Sequence, residues 1–128
     1  MYDITLPDSH KRGKRGERLV HNSLTKYMNS KGYHNHLLQD VTLEVDGKTT
    51  QIDHSLISLI GIFVIETKNM DGWIFGNAKS KAWTQSIYGK KHKFMNPIHQ
   101  NYKHLVFLNK IFDAPQRLNS LVIFTDAS

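Results

Sequence analysis

The chain has 128 residues, of which 39% are hydrophobic and 22% charged, with no cysteine and a formal net charge of +6. This composition predicts one globular domain over residues 1–128, with 1–12 as a leading segment, and it excludes disulfides and cysteine-based zinc sites. No apolar run approaches the roughly 20 residues that span a bilayer, and no secretory signal pattern opens the chain, so we expect a cytoplasmic protein.

Basic residues are in excess, with 17 Lys and Arg against 11 Asp and Glu. Each Lys or Arg placed on a phosphate releases condensed counterions, which favours binding to polyanions. We therefore expect a nucleic acid as the partner and no membrane association.

The first predicted helix follows a basic loop. Residues 11–16, Lys-Arg-Gly-Lys-Arg-Gly, combine positive charge with two glycines and predict a loop. From Glu17 to about Ser30 apolar residues recur at helical spacing, and Gly32 follows as a stop signal. A helix over 17–30 is therefore predicted.

Three strands are predicted next. Apolar and polar residues alternate over 41–45 and lead into Asp46-Gly47, a strong hairpin signal, with a return strand over about 49–58. A second turn near 59–61 precedes an almost continuously apolar strand over 62–68.

A β-extension and a second helix come after these strands. Residues 71–83 predict short strands rich in large aromatic side chains, and residues 86–94 predict a loop or a hairpin tip. Asn96-Pro97 predicts a helix start, because asparagine favours the cap position and proline the first helical position. This helix would run to about Phe112 and end at Asp113-Ala114-Pro115.

A buried strand is predicted over 118–125, after the second helix. The chain stops soon after that strand, as expected for an N-terminal domain excised from a longer protein. The predicted core stripe of the helix contains Ile98, Tyr102, Leu105 and Phe112.

The turn near 59–61 determines which charged residues meet. If its centre lies between Leu59 and Ile60, antiparallel pairing puts Asp53 opposite Glu66, and a shift by one residue puts Asp53 opposite Lys68. In both registers the three charged side chains share one face of the sheet. A three-residue loop would send Asp53 to the other face.

Two carboxylates that converge on one point suit Mg²⁺, which prefers hard oxygen ligands and keeps several waters. A nearby lysine such as Lys68 would orient or deprotonate a bound water, which favours phosphodiester hydrolysis. The competing interpretation is a salt-bridged cluster at a sheet edge. Glu17 shares a helical stripe with apolar residues and would face the same site, although an acid also favours the first turn of a helix for electrostatic reasons.

These residues, taken in order, resemble the nuclease-related domain, NERD, a branch of the restriction-endonuclease-like PD-(D/E)XK superfamily. The resemblance covers roughly residues 13–125. Its motifs are Gly13-Lys14-Arg15-Gly16-Glu17, Gln51-Ile52-Asp53-His54, the run from Gly61 to Asn69 with Gly72 after it, Trp83, and Asn96-Pro97-Ile98-His99-Gln100.

The resemblance implies an α/β fold with an α-β-β-β-α-β core, in which helices flank a mixed central sheet. It also implies a Mg²⁺-dependent endodeoxyribonuclease, with Mn²⁺ as a substitute ion and a homodimer as a compatible assembly. The implied catalytic set is Glu17, Asp53, Glu66, Lys68 and Gln100. The implied metal ligands are Asp53, Glu66, Glu17 directly or through water, and the backbone carbonyl of Thr67.

Other residues carry weaker signals. His54 follows Asp53 on a strand and is expected to be structural, and Trp73 and Trp83 are expected to pack on the β-extension rather than stack on bases. The basic residues are explained equally well by solvent-exposed loops and by contacts with phosphate groups. The candidate phosphate contacts are Lys11, Arg12, Lys14, Arg15, Lys90, Lys91 and Lys93.

Two alternatives to a nuclease remain open. The same fold and charge suit a nucleic-acid-binding module without catalysis, or an interaction domain of a larger DNA-processing protein.

Overall fold

The computed structural model describes residues 7–31, 35–112 and 117–126. Within these ranges no helix is both long and apolar enough to cross a membrane. In chain order the elements are α1 (Pro7–Lys31), β1 (His36–Val45), β2 (Lys48–Ser58), β3 (Gly61–Asn69), β4 (Trp73–Phe75), β5 (Ala82–Ile87), β6 (Lys90–Met95), α2 (Pro97–Phe112) and β7 (Leu118–Thr125).

The central sheet has the strand order β1-β2-β3-β7. The pairs β1–β2 and β2–β3 are antiparallel, whereas β3 and β7 are parallel because α2 carries the chain back across the sheet. A separate sheet, β4-β5-β6, lies between β3 and α2 in the chain. The predicted α/β class, with an α-β-β-β-α-β core and a small β-extension, is confirmed.

The β2–β3 hairpin turns through only two residues, Leu59 and Ile60, which are 80% and 82% exposed. Ser58 pairs with Gly61, and the ladder continues up to His54 opposite Ile65. One further step of this register brings residues 53 and 66 opposite each other. The first of the two predicted registers is therefore confirmed, and the three-residue loop is excluded.

The basic run that predicted a loop is helical instead, because α1 already begins at Pro7. Gly16 is buried against the ends of β3 and β7, where an added Cβ would lie 2.5 Å from Asn69 Cβ and 2.8 Å from Thr125 Oγ1. This glycine permits close packing and does not mark a turn. Residues 1–6 of the predicted leading segment and the stop signal Gly32 lie outside the described residues.

Reciprocal hydrogen bonds fasten α1 to the sheet at the same place. Arg12 Nε donates to the carbonyl of Asn69 at 3.0 Å, and Asn69 Nδ2 donates to the carbonyl of Arg12 at 2.8 Å. Thr125 Oγ1 completes the tie by donating to Asn69 Oδ1 at 3.1 Å. The N-terminal half of α1 is thus held across the carboxyl ends of β3 and β7.

The predicted core stripe of α2 is wrong except at Leu105, which packs against the core, since the other three side chains are exposed. The helix is rotated because polar residues occupy its buried face. Asn101 Nδ2 donates to the carbonyl of Val64 at 2.8 Å and to Ser120 Oγ at 2.7 Å, so its burial leaves no amide hydrogen unpaired. The buried residues are Pro97, Asn101, His104 and Leu108.

Asn96 caps α2, as predicted, by accepting a hydrogen bond from the amide of Ile98 at 2.8 Å. Its Nδ2 donates to the carbonyl of Ser80 at 2.8 Å, which ties the loop before β5 to the helix. The predicted end signal at 113–115 lies outside the described residues. The core that α2 covers contains Ile52, Val64 and Leu108, with Val41, Leu43, Ile62, Leu105 and Leu118 partly buried around them.

Residues 86–94, predicted as a loop or a hairpin tip, form the end of β5, the tip and most of β6 in the β5–β6 hairpin. Trp83 stacks on Phe124 of β7 at 6.1 Å and meets Phe94 edge-on at 6.3 Å, so its predicted packing role is confirmed. Trp73 is 74% exposed, and for this residue the packing prediction is wrong.

Replacing Gly16 by alanine should destabilise the fold. Alanine is favoured over glycine in a helix by about 1 kcal/mol, but overpacking typically costs about 1–3 kcal/mol, and here the clash is with Asn69 and Thr125. Gly13→Ala is the matched control, because nothing lies within 4 Å of a Cβ built there. Urea denaturation should show a lower free energy of unfolding for Gly16→Ala and a higher one for Gly13→Ala. A stabilising Gly16→Ala would contradict this packing.

Candidate active site

A cavity of about 590 Å³ lies between α1, the ends of β2 and β3, and the second sheet. Four of the predicted catalytic residues line it together. Glu17 comes from α1, Asp53 from β2, and Glu66 and Lys68 from β3. The two-residue turn and the tight approach of α1 thus bring together residues that are far apart in the chain.

Asp53 is held by the backbone of the neighbouring strand. Its Oδ2 accepts a hydrogen bond from the amide of Thr67 at 2.9 Å, beyond the last paired residues of the β2–β3 ladder. Burial raises the pKa of Asp53, and the Thr67 hydrogen bond and the charge of Lys68 oppose that rise. The carboxylate therefore has a defined orientation, but these two interactions do not fully offset the energetic cost of removing it from water.

Glu66 is 3% exposed and is the most strongly perturbed acid in the cavity. Burial raises the pKa of Glu66 to about 7, and the negative charge of Asp53 adds to the rise. Lys68 Nζ, at 3.5 Å from Glu66 Oε1, acts in the opposite direction. Two neighbouring carboxyl groups thus lack part of the positive charge that they need when both are ionised.

Glu17 faces the sheet, as its helical stripe predicted. Burial raises its pKa, followed by the charge of Asp53, while Lys14 lowers it. Lys14 Nζ lies 3.9 Å from Glu17 Oε1 on the preceding turn of α1. Glu17 therefore lies near Asp53 and Glu66 and has its own lysine partner, Lys14.

Asp40 is an acidic neighbour that the sequence analysis missed. Its Oδ1 lies 3.5 Å from Lys14 Nζ and 3.4 Å from Gln51 Nε2, and its charge raises the pKa of both Glu17 and Asp53. Asp40 has a φ of 53° within β1, a left-handed conformation that aspartate tolerates better than most residues. The predicted strand began at residue 41, so Asp40 was given no place on the sheet.

His104 of α2 is a second neighbour that was missed, because it was not on the predicted core stripe. Asn101 uses its amide hydrogens on β3 and β7, so its Oδ1 accepts a hydrogen bond from His104 Nδ1 at 3.0 Å. Burial lowers the pKa of His104, whereas the charge of Asp53 raises it. The imidazole therefore contributes to the field around the buried carboxylates.

The donor set fits a hard divalent cation. Mg²⁺ typically takes one or two protein carboxylates and keeps several waters, and Asp53 and Glu66 provide two desolvated carboxyl groups. Thr67 alternates with Glu66 and Lys68 along β3, so its buried hydroxyl, which has no hydrogen-bond partner among the described residues, lies on the opposite face and is not part of this donor set. In residues 7–31, 35–112 and 117–126 no group of three His, Asp or Glu side chains is arranged to hold a metal ion.

Comparison with known families agrees with this geometry. A family model described as the nuclease-related domain, NERD, matches residues 12–125. The chain belongs to the NERD family. The resemblance inferred from the sequence motifs is therefore confirmed, and the match covers the elements that build the cavity except for the first residues of α1.

The NERD chain also matches a curated relative, an uncharacterized protein from Bacillus anthracis. The two are 50% identical over 114 residues, which is 88% of this chain and 52% of the relative. The NERD chain thus spans about half the length of this curated relative. No solved structure gives a significant match.

The remaining predicted residues lie in several places. Gln100 is in the first turn of α2, where its amide donates to the carbonyl of Asn96 at 3.0 Å, and its side chain is not among those that line the cavity. His54 is buried and stacks on His21 at 5.4 Å, which confirms a structural role. Of the seven candidate phosphate contacts, Arg12, Lys14 and Lys93 line the cavity, whereas Lys11, Arg15, Lys90 and Lys91 are exposed outside it.

Glu66 should make the stability of the metal-free NERD chain depend on pH. Its pKa is about 7 in the folded state against an ordinary 4.5, so the folded state binds more protons between these values. The stabilising contribution of protonated Glu66 is therefore complete below about pH 4.5 and is lost as the pH rises through about 7. Glu66→Gln, which cannot ionise, should be more stable than wild type by on the order of 2 kcal/mol at about pH 8.

Urea denaturation in a metal chelator at several pH values measures this difference. The control is Glu44→Gln, which removes an exposed carboxylate from β1, and its stability curve should run parallel to that of wild type. If the Glu66→Gln and wild-type curves are also parallel, the buried carboxyl pair is not strained by its charge.

Proposed function

We propose that this NERD chain is a Mg²⁺-dependent nuclease that hydrolyses phosphodiester bonds in DNA. The observation that carries the proposal is the pair of desolvated carboxyl groups, Asp53 and Glu66, which share one cavity with Lys68. Membership of the nuclease-related family and the net charge of +6 support the same reaction class.

Asp53 and Glu66 would hold the ion, with Glu17 as a direct or water-mediated ligand and the Thr67 carbonyl as a backbone ligand. When bound, Mg²⁺ neutralises phosphate charge and lowers the pKa of a coordinated water. Thr67 has a further role, since its amide fixes the direction of the Asp53 carboxylate. Such support of a metal ligand by its surroundings typically affects metal affinity about 10- to 100-fold.

Lys68 is the residue that we assign to the attacking water and the phosphate. Its ammonium group is near Glu66 and about a quarter exposed, so it can reach a substrate in the cavity. There it would orient or deprotonate the water and stabilise the negative charge that develops in the transition state. The basic side chains at the cavity, Arg12, Lys14 and Lys93, would guide the phosphate backbone towards it.

A homodimer would allow both strands of a duplex to be cut, and a cytoplasmic setting is compatible with a cysteine-free chain. We assign Mg²⁺ as the resident ion, with Mn²⁺ as a substitute, because both take hard oxygen ligands.

A non-catalytic nucleic-acid-binding module is the second candidate. It is favoured by one observation, namely that Lys14 and Lys68 already neutralise part of the acidic cluster without a metal. Salt-sensitive binding of DNA without cleavage, unaffected by a change at Asp53, would favour this alternative.

Cleavage of plasmid and single-stranded DNA with Mg²⁺ or Mn²⁺ tests the nuclease. We expect Asp53→Asn and Lys68→Ala each to lose at least about 100-fold in rate, because they remove a metal ligand and a transition-state contact. Asp46→Asn is the matched control, since it makes the same chemical change at an exposed hairpin turn outside the cavity. Equal rates in wild type and all variants would refute the proposal.

Metal binding can be tested separately from cleavage. Mg²⁺ that binds only the folded chain should raise the melting temperature in proportion to the logarithm of its concentration above the dissociation constant. The shift should be larger at about pH 8 than at about pH 5, because Glu66 must ionise to bind the ion. Asp53→Asn should remove most of the shift and Asp46→Asn none of it. An unchanged shift in Asp53→Asn would place the ion elsewhere.

A further inference from the structure

We propose that the outer face of the β4-β5-β6 sheet binds an unpaired segment of nucleic acid. This inference rests on the proposed function in one respect, since it makes DNA with a single-stranded stretch the preferred substrate of the nuclease. The binding surface itself consists of Trp73, Phe75, Lys91 and Lys93, which we call the aromatic face.

The strand register places these four side chains on one face. Trp73 pairs with Ser86, which pairs in turn with Lys91. In the next row but one, Phe75 pairs with Thr84 and Thr84 with Lys93. Directly opposite residues of antiparallel strands project to the same side, as do residues two apart along a strand. Lys93 Nζ donates a hydrogen bond to Thr84 Oγ1 at 2.9 Å, which shows that these two side chains lie on the same face.

Both rings of the aromatic face are open to solvent, with Trp73 74% and Phe75 56% exposed. The tryptophan that holds the sheet in place is a different one, because Trp83 stacks on Phe124 and donates its Nε1 hydrogen to the carbonyl of Asn77. Trp73 and Phe75 are thus not needed to anchor the sheet. Neighbouring exposed aromatic side chains commonly mark a binding surface.

The charge beside the rings indicates which partner fits. Lys91 and Lys93 border the rings, and none of the paired residues 73–75, 84–86 and 91–93 is acidic. Aromatic rings interleaved with lysines bind single-stranded nucleic acid, because bases stack on the rings while phosphates meet the ammonium groups. An apolar protein surface would gain nothing from the lysines.

The spacing of the rings also favours unpaired bases. Residues two apart on a strand lie about 6.6–6.8 Å apart, roughly twice the 3.4 Å step between bases stacked within one strand of a duplex. An extended single strand can place successive bases on Trp73 and Phe75. The bases of a duplex are stacked on one another and cannot reach two separate rings.

The aromatic face adjoins the cavity of the proposed nuclease. The opposite face of the same sheet forms a cavity wall through Gln85, Ile87 and His92, and Lys93 of the aromatic face also lines the cavity. A strand that lies on the aromatic face therefore needs only to pass β6 to bring a phosphate to the acidic residues.

Fluorescence anisotropy with a labelled oligothymidylate of about 16 nucleotides, in a metal chelator at low salt, tests the binding surface. Wild type should bind it more tightly than a duplex of the same length. The double variant Trp73→Ala/Phe75→Ala should weaken binding of the single strand about tenfold or more and leave duplex binding nearly unchanged. Trp73→Phe, which keeps a ring, should retain most of the affinity.

The matched control is Leu59→Ala/Ile60→Ala, which removes two even more exposed apolar side chains at the β2–β3 turn and should not change binding. Lys91→Ala should weaken the binding of both the single strand and the duplex. It should also reduce the salt dependence of the binding constant by about one phosphate contact. Equal binding of single strand and duplex, unchanged in the aromatic double variant, would overturn the inference. So would a wild-type dimer in light scattering that the same variant dissociates, because a second copy would then cover the face.

The binding readout requires no catalysis, so the two proposals can fail separately. If wild type cuts no DNA but binds oligothymidylate through Trp73 and Phe75, the nuclease fails and the binding surface stands. If wild type cuts DNA and the aromatic double variant changes neither binding nor cleavage, the nuclease stands and this inference fails.

Discussion

The two-residue turn between β2 and β3 determines the position of the acidic groups, because a three-residue turn would place every side chain of β2 on the other face. The turn at Leu59 and Ile60 brings Asp53 across from Glu66 where the ladder ends. The ladder between β2 and β3 stops before Thr67, and its amide donates a hydrogen bond to the Asp53 carboxylate and not to a backbone carbonyl of β2. A local feature of the chain thus creates both the pair of carboxyl groups and the hydrogen bond that orients one of them.

Close packing of α1 completes this arrangement and raises its electrostatic cost. Gly16 lets the helix lie against Asn69 and Thr125, and Glu17, the next residue, is thereby carried to the cavity. The pKa values of three acids rise together because each loses water and faces another negative charge. Such a field repels a phosphate unless a cation intervenes, so the same geometry that strains the metal-free protein supports the proposed binding of Mg²⁺.

Local patterns in the sequence predicted the parts of the fold that depend on local physics. Asp46-Gly47, the β2–β3 turn and the Asn96 cap each need only neighbouring residues, and each was correct. Gly16 was misread because its partners Asn69 and Thr125 are distant in the chain. The α2 face was misread because Asn101 and His104 are buried through hydrogen bonds, which a count of apolar residues cannot detect. His104 was missed at the site for the same reason, and Asp40 was missed because the predicted strand began one residue after it.

The two tryptophans of the second sheet show how the same limit extends to function. Trp83 and Trp73 belong to paired strands, and Trp83 is the one that packs because it meets Phe124 of β7, which is far along the chain, as well as Phe94. Because Trp83 anchors the sheet, the two faces of the sheet have different surroundings. One face closes the cavity through Gln85 and Ile87, and the other leaves Trp73 exposed to solvent. A sheet anchored by one ring can expose another at little cost in stability, and the exposed ring lies on the face away from the cavity wall, where the proposed unpaired strand would bind.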